Sequence, residues 1–374
     1  MRTISQNNNY PLNKLSMTDN RNGELDLLRL VFCIMVLLVH LDDKYAVYLI
    51  ENHHKLGCYG WFGVEFFFMI SGLFLAEHHN REEKNLIIED APNEIWTYIL
   101  HKVKYISKYY IPMLAIQFVQ GIVDLHNVTA ANVVGYLPSI FYLNNIPNVP
   151  GTLHLLGDWY LSALIICSLI IYSLIVYKKD LYTKIIAPLS FIIITSYFLR
   201  KYNSIALVVN ADFINGGLLR GLAVMSLGVF AYELSKIITK IKNTHIIRIL
   251  VIIKYLLFFI CIKFSLGYYD ELYSLSFLLA LFIAVSISYS RIGFIVKGNK
   301  ITYYIAKLSL SMYLVHGIIY TWLINNKVVF DNKLIAPLII ILFVAIVSIV
   351  YMFVVDFFSV YLKNIVKRND KKRI

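Results

Sequence analysis

The 374 residues are 59% hydrophobic and only 16% charged, whereas a soluble domain carries about 25% charged residues. Such a balance excludes an ordinary soluble globular domain, and the charges fall between apolar runs long enough to cross about 30 Å of hydrocarbon as helices. A net charge of +12 does not point to nucleic acid, because the basic residues sit at the ends of apolar segments rather than on one patch.

Residues 1–24 are Asn-rich and polar, with no basic, apolar and small-residue succession of a cleaved signal peptide, and read as a cytoplasmic tail. Hydropathy then predicts an all-α bundle of about ten transmembrane helices across a single domain, 25–358. The first five cover Leu25–Leu41, Tyr59–Ala76, Tyr109–Val123, Trp159–Tyr177 and Ile185–Leu199. The second five cover Gly216–Leu234, Ile246–Leu266, Leu272–Tyr289, Ile305–Leu323 and Leu334–Phe358. Lys254 and Lys263 interrupt the seventh, so nine or eleven spans are alternatives. Between Glu77 and Lys108 a polar, charged loop is expected on the cytoplasmic side, and between His126 and Asp158 a longer external loop. A basic tail, 359–374, follows. With the N-terminus inside, most of the 35 lysines and arginines fall on cytoplasmic segments, which places both termini in the cytoplasm. Cys33, Cys58, Cys167 and Cys261 have no paired spacing, so neither a disulfide framework nor a metal site is expected.

Ionisable residues inside apolar helices are the candidates for chemistry, since each costs a few kcal/mol or more if it faces lipid. In the first helix Arg29 and His40 are eleven residues apart, three turns, which puts them on one face about 16 Å apart along the axis. Snorkelling of Arg29 to the inner headgroups is the competing reading. Glu65 in the second helix and His316 in the ninth fall in the outer half by residue count, as do Arg220 and Asp158. Glu65 also reads as an internal ion-pair partner of Arg220, and His316 as a satisfied core histidine.

The spacing of Arg29 and His40 resembles the Arg-x10-His motif of the acyltransferase-3 family of membrane O-acyltransferases. "GVEFFFMISGLFLA" from Gly63, with Glu65, Ser71 and Gly72, is similar to that family's second-helix signature. "GDWYLSALI" from Gly157, with Asp158 and Trp159, "LLRGLAVMSLGVF" from Leu218, with Arg220, and "SLSMYLVHGIIY" from Ser309, with His316, resemble three further segments in family order. The Arg-x-x-Arg pair that usually precedes the third helix is replaced by "HKVKYISKYYIP", where Lys104 and Lys108 share a face. Lysine neutralises phosphate as a point charge without the bidentate fork of arginine.

This resemblance implies transfer of an acyl group, in the first place acetyl, from cytoplasmic acetyl-CoA or another short acyl-CoA to a hydroxyl of an extracytoplasmic or lipid-linked carbohydrate of the cell envelope. It also implies a bacterial inner membrane and no tightly bound cofactor. His40 is then the general base, with Arg29, Glu65 and His316 as further catalytic candidates and Lys104, Lys108, Asp158, Trp159, Arg220 and Ser71 as substrate-binding ones. No Gly-x-Ser-x-Gly elbow is present, which leaves direct transfer or a transient acyl-histidine. A transporter or exporter of a glycan or lipid-linked sugar is the alternative, because intramembrane charges also mark translocation paths. The bilayer and the carbohydrate acceptor are the expected partners, and whether a protein partner is needed stays open.

Overall fold

Each of the ten apolar segments is a helix in the computed structural model, which describes residues 21–48, 55–82, 88–125, 134–144, 156–206, 210–211, 214–266, 272–288 and 296–371. In chain order these are α1 (Gly23–His40), α2 (Phe62–Glu82) and α3 (Ala91–Leu125), then a single turn α4 (Leu137–Ile140), then α5 (Trp159–Leu181) and α6 (Ala187–Tyr202). After a two-residue antiparallel pair, β1 (Asn210–Ala211) with β2 (Ile214–Asn215), come α7 (Gly216–Thr239), α8 (Thr244–Leu266), α9 (Leu272–Ser288), α10 (Lys300–Asn325) and α11 (Ala336–Lys371). Residues 126–133 and 145–155 of the predicted external loop, on either side of α4, and residues 1–20 of the N-terminal tail lie outside the described residues.

Local chemistry explains several boundaries. Asn22 caps α1 by accepting from the amides of Glu24 and Leu25, and Glu24 and Asp26 place negative charge on the first turn. A reciprocal Asn299 and Thr302 capping box starts α10. Lys178, outside helical φ/ψ, kinks the end of α5, and a π turn over Tyr182–Ile186 leads into α6.

Two helices run further than hydropathy indicates. α3 begins at Ala91, so much of the expected polar loop is helical. There the buried positions Ile95, Ile99 and Ile106 recur at helical spacing, and averaging over the polar residues between them hides the stripe. α11 continues through the predicted tail to Lys371.

Helix α7 occupies the middle of the bundle, packed by α2, α5, α6 and α9, while α1 lies along α10 and α10 along α11. Contact between α2 and α7 is backbone to backbone. A Cβ on Gly72 would run into the Met225 carbonyl, and one on Gly228 into the Met69 carbonyl, so each glycine seats on the other helix's chain. Gly72→Val and Gly228→Val are each expected to cost roughly 1–3 kcal/mol or more through overpacking. The measurement is the thermal unfolding midpoint in detergent, and unchanged midpoints in both variants would contradict the contact.

Among the described residues, five helical runs are long and apolar enough to cross a membrane: Trp159–Tyr202, taken through the kink, Gly216–Thr239, Thr244–Phe264, Lys300–Asn325 and Ala336–Ile365. The outer faces of α8 and α11 expose Ile252, Phe259, Leu338, Ile346 and Phe357, as lipid-facing surfaces do. The chain is a multi-pass, all-α membrane protein. One end of the bundle is tied by Asn22 donating to the Ser286 carbonyl (3.4 Å), Ser288 to the Ser235 carbonyl (2.8 Å) and Lys254 to Glu24 (3.0 Å). At the opposite end the Tyr45 hydroxyl lies against the carbonyls of Leu323 (3.1 Å) and Val328 (3.0 Å).

Candidate active site

The packing of α1 along α10 brings together two histidines from opposite ends of the sequence. Cys33 donates to the Ser309 carbonyl (3.2 Å) and Tyr320 to the Leu37 carbonyl (3.0 Å), which sets the register of the pair. His40 and His316 then face one another with ring centroids 5.2 Å apart and planes inclined by 31°. His316 is fully buried, and its Nδ1 lies 2.7 Å from the Tyr313 carbonyl. A carbonyl only accepts, so Nδ1 carries the proton and Nε2 of the neutral ring keeps its lone pair. Neither His316 Nε2 nor His40 Nδ1 has a hydrogen-bond partner among the described residues, although both atoms are buried. Buried polar atoms in folded proteins nearly always find a partner. Tyr313 and Tyr320 wall the pair, with ring centroids 5.8 and 5.5 Å from His316.

From Tyr313 an aromatic layer leads to a buried ion pair. Tyr313 donates to the Gly157 carbonyl (2.5 Å) and lies 5.7 Å from Tyr160, which packs in turn on Phe68 and Trp159. Trp159 and Trp61 hold the Arg220 guanidinium between them, 5.5 and 5.3 Å from the ring centroids. Arg220 Nε donates to Glu65 at 2.6 Å and its Nη2 to the Trp61 carbonyl at 3.2 Å. Both side chains of the pair are at most 2% exposed. Glu65 is therefore joined to Arg220, and the ring beside His40 is an imidazole. Ser71, one turn from Phe67, donates to the Phe67 carbonyl (2.8 Å).

The remaining candidates are more dispersed. Asp158 is buried and accepts from the Tyr110 and Ser139 hydroxyls, each at 3.2 Å, so it faces α3 and α4. Because α1 is unbroken from Gly23 to His40, Arg29 stays three turns below His40, where Asp26 holds it at 3.2 Å and its guanidinium lies over Phe74. Arg21 reaches the same Asp26 with two bonds of 2.6 and 2.8 Å. Lys108 pairs with Asp356 at 2.6 Å, and Lys307 and the Tyr109 hydroxyl share that carboxylate. Lys104 is exposed. Among the described residues no group of three His, Cys, Asp or Glu side chains is placed to hold a metal ion.

Asp26, Tyr313, Tyr320 and Asp356 join the site although sequence reasoning passed over them. Each left a signal. Asp26 precedes Arg29 by one turn, Tyr313 and Tyr320 stand three before and four after His316, and Asp356 is the first acid after twenty uncharged residues of α11.

Comparison with known families decides the class. A family model described as an acyltransferase domain matches residues 22–356, from the cap of α1 to the aspartate that closes α11 on α3 and α10. The chain belongs to the acyltransferase-3 family. No curated protein and no solved structure matches it. The matched region of this membrane acyltransferase contains both histidines, the Arg220–Glu65 pair, Asp26 with Arg29, and Asp356 with Lys108 and Lys307.

Proposed function

We propose that the protein is an O-acyltransferase, in the first place an O-acetyltransferase, that moves the acyl group of a cytoplasmic acyl-CoA to a hydroxyl of an extracytoplasmic or lipid-linked carbohydrate. The observation that carries this reading is the His40–His316 pair, a half-buried and a fully buried imidazole that face one another between α1 and α10, with His40 Nδ1 and His316 Nε2 unpartnered among the described residues. In this scheme His40 takes the proton of the acceptor hydroxyl as its oxygen bonds to the thioester carbon. The C–S bond then breaks, and the proton passes to the departing thiolate. His316, held in one tautomer by the Tyr313 carbonyl, offers Nε2 as a second acceptor that orients the hydroxyl.

On this reading the ten long helices all span a bacterial inner membrane with both termini in the cytoplasm. The end of the bundle that carries Arg21, Arg29, Lys108 and Lys307 then faces the cytosol, where the phosphates of the donor arrive. Arg29 is the innermost of these on α1, three turns from His40, on the path a pantetheine arm would follow. Lys104 is exposed and makes no ion pair among the described residues, so it can meet phosphate directly, while Lys108 needs Asp356 to yield first. Trp159 and Asp158 lie toward the acceptor side, and the aromatic layer suits stacking on a sugar.

The test is mass spectrometry of surface glycan from cells with and without the gene, joined to transfer of labelled acetyl from acetyl-CoA by the purified protein in proteoliposomes. Loss of acetyl mass increments with the polymer retained is the expected result. Disappearance of the polymer itself would mean export and would overturn the reading.

A further inference from the structure

We propose that Lys55 is a positioning residue for His40: it closes the outer end of α1 and thereby holds the last side chain of that helix against His316. The inference rests on the reading of His40 as the base, and it starts from the short segment that leads into α2. This segment lies directly on α1. Gly57, with φ +79°, packs on Leu38, a Cβ on Gly60 would meet the Met35 carbonyl, and a Cβ on Gly63 would meet the Phe32 carbonyl. Both series step by three residues in opposite directions, so the strap runs antiparallel down one stripe of α1 at backbone distance.

Lys55 stands at the head of that strap. Its ammonium donates to the Val39 carbonyl at 3.2 Å and to the Leu41 carbonyl, the two carbonyls that flank His40, with the Asp43 carboxylate at 3.8 Å. The last carbonyls of a helix have no intrahelical donor, and near a membrane interface they require another one. Lysine suits the task because its three N–H groups on a flexible stem satisfy two carbonyls and a carboxylate together. Only 17% of the side chain is exposed, so water does not readily replace it.

The chemical consequence is geometric. His40 is the final residue of α1, where helices fray first. A shift of about 1 Å in a catalytic group costs on the order of a hundredfold in rate.

The experiment uses full-length protein in nanodiscs, comparing Lys55→Met and Lys55→Arg with the parent chain. Hydrogen exchange by mass spectrometry reads protection of the last turn of α1, and steady-state kinetics reads kcat and KM for acetyl-CoA. In Lys55→Met, faster exchange at residues 37–41 is expected together with a fall in kcat of roughly ten- to a hundredfold and little change in KM. Lys55→Arg should restore both. Unchanged exchange in Lys55→Met overturns the proposal, and so does faster exchange with parental kcat or failure of arginine to restore either readout. The exchange measurement does not depend on acyl transfer, so a failure of the His40 assignment, seen as activity in His40→Ala, stays distinguishable from a failure of the strap.

Discussion

Replacing His40 by alanine is expected to abolish detectable acyl incorporation, a loss of about 10²–10⁴-fold, while the protein still inserts and folds. The expectation combines two features of the site. His40 Nδ1 has no hydrogen-bond partner among the described residues, so truncation leaves no orphaned donor or acceptor behind and its structural cost is confined to lost packing. The imidazole nevertheless faces His316 across 5.2 Å between ring centroids, close enough for one hydroxyl to be within hydrogen-bond reach of a nitrogen of each ring. His316→Ala should also lose activity. The double variant should be little worse than His40→Ala, because groups that act on one proton do not contribute independently. Normal acetylation of glycan in the His40→Ala strain, with the variant present in the membrane at parental level, would refute the base assignment.

Much of this architecture is legible in the chain because membrane helices have to satisfy their own backbone, which makes apolar run length a direct reading of the fold. The signal weakens where a helix is amphipathic: α3 was visible only from Tyr109 onward, since its first half mixes Glu94, His101, Lys102 and Lys104 with the buried isoleucines. The candidate site follows the same pattern. Spacing alone puts Arg29 and His40 on one face of α1, but it says nothing of the partner helix that this face meets. That α10 supplies His316, and that Lys108 is held by an aspartate 248 residues away, are facts of tertiary packing. Lys55 was invisible for another reason. Its neighbourhood is polar and lies between helices, and only the fold reveals that it reaches back to the end of α1.

Glu65→Gln is expected to be strongly destabilising for a conservative substitution, because it leaves the Arg220 guanidinium buried without its counter-ion. The side chains of the pair are 2% and 1% exposed, and removing one partner of such a pair typically costs about 3–5 kcal/mol. Stacking of Arg220 between Trp61 and Trp159 offsets part of that loss, since each cation–π contact contributes roughly 0.5–2 kcal/mol. Replacing both members, Glu65→Leu with Arg220→Met, should therefore be milder than either single change, a positive coupling measured as unfolding midpoints of the four proteins in one detergent. Equal midpoints for Glu65→Gln and the parent would show that the pair does not hold α2 to α7. Activity of the double variant separates structure from chemistry. Trp159 lies against Arg220 and meets Tyr160 edge to face, Tyr160 meets Tyr313 in the same way, and Tyr313 supplies the carbonyl that fixes His316, so a pair that serves only as a brace needs no charge once the layer is packed. Recovery of transfer along with stability is the expected outcome. A stable but inactive double variant would instead assign Glu65 or Arg220 to the reaction itself.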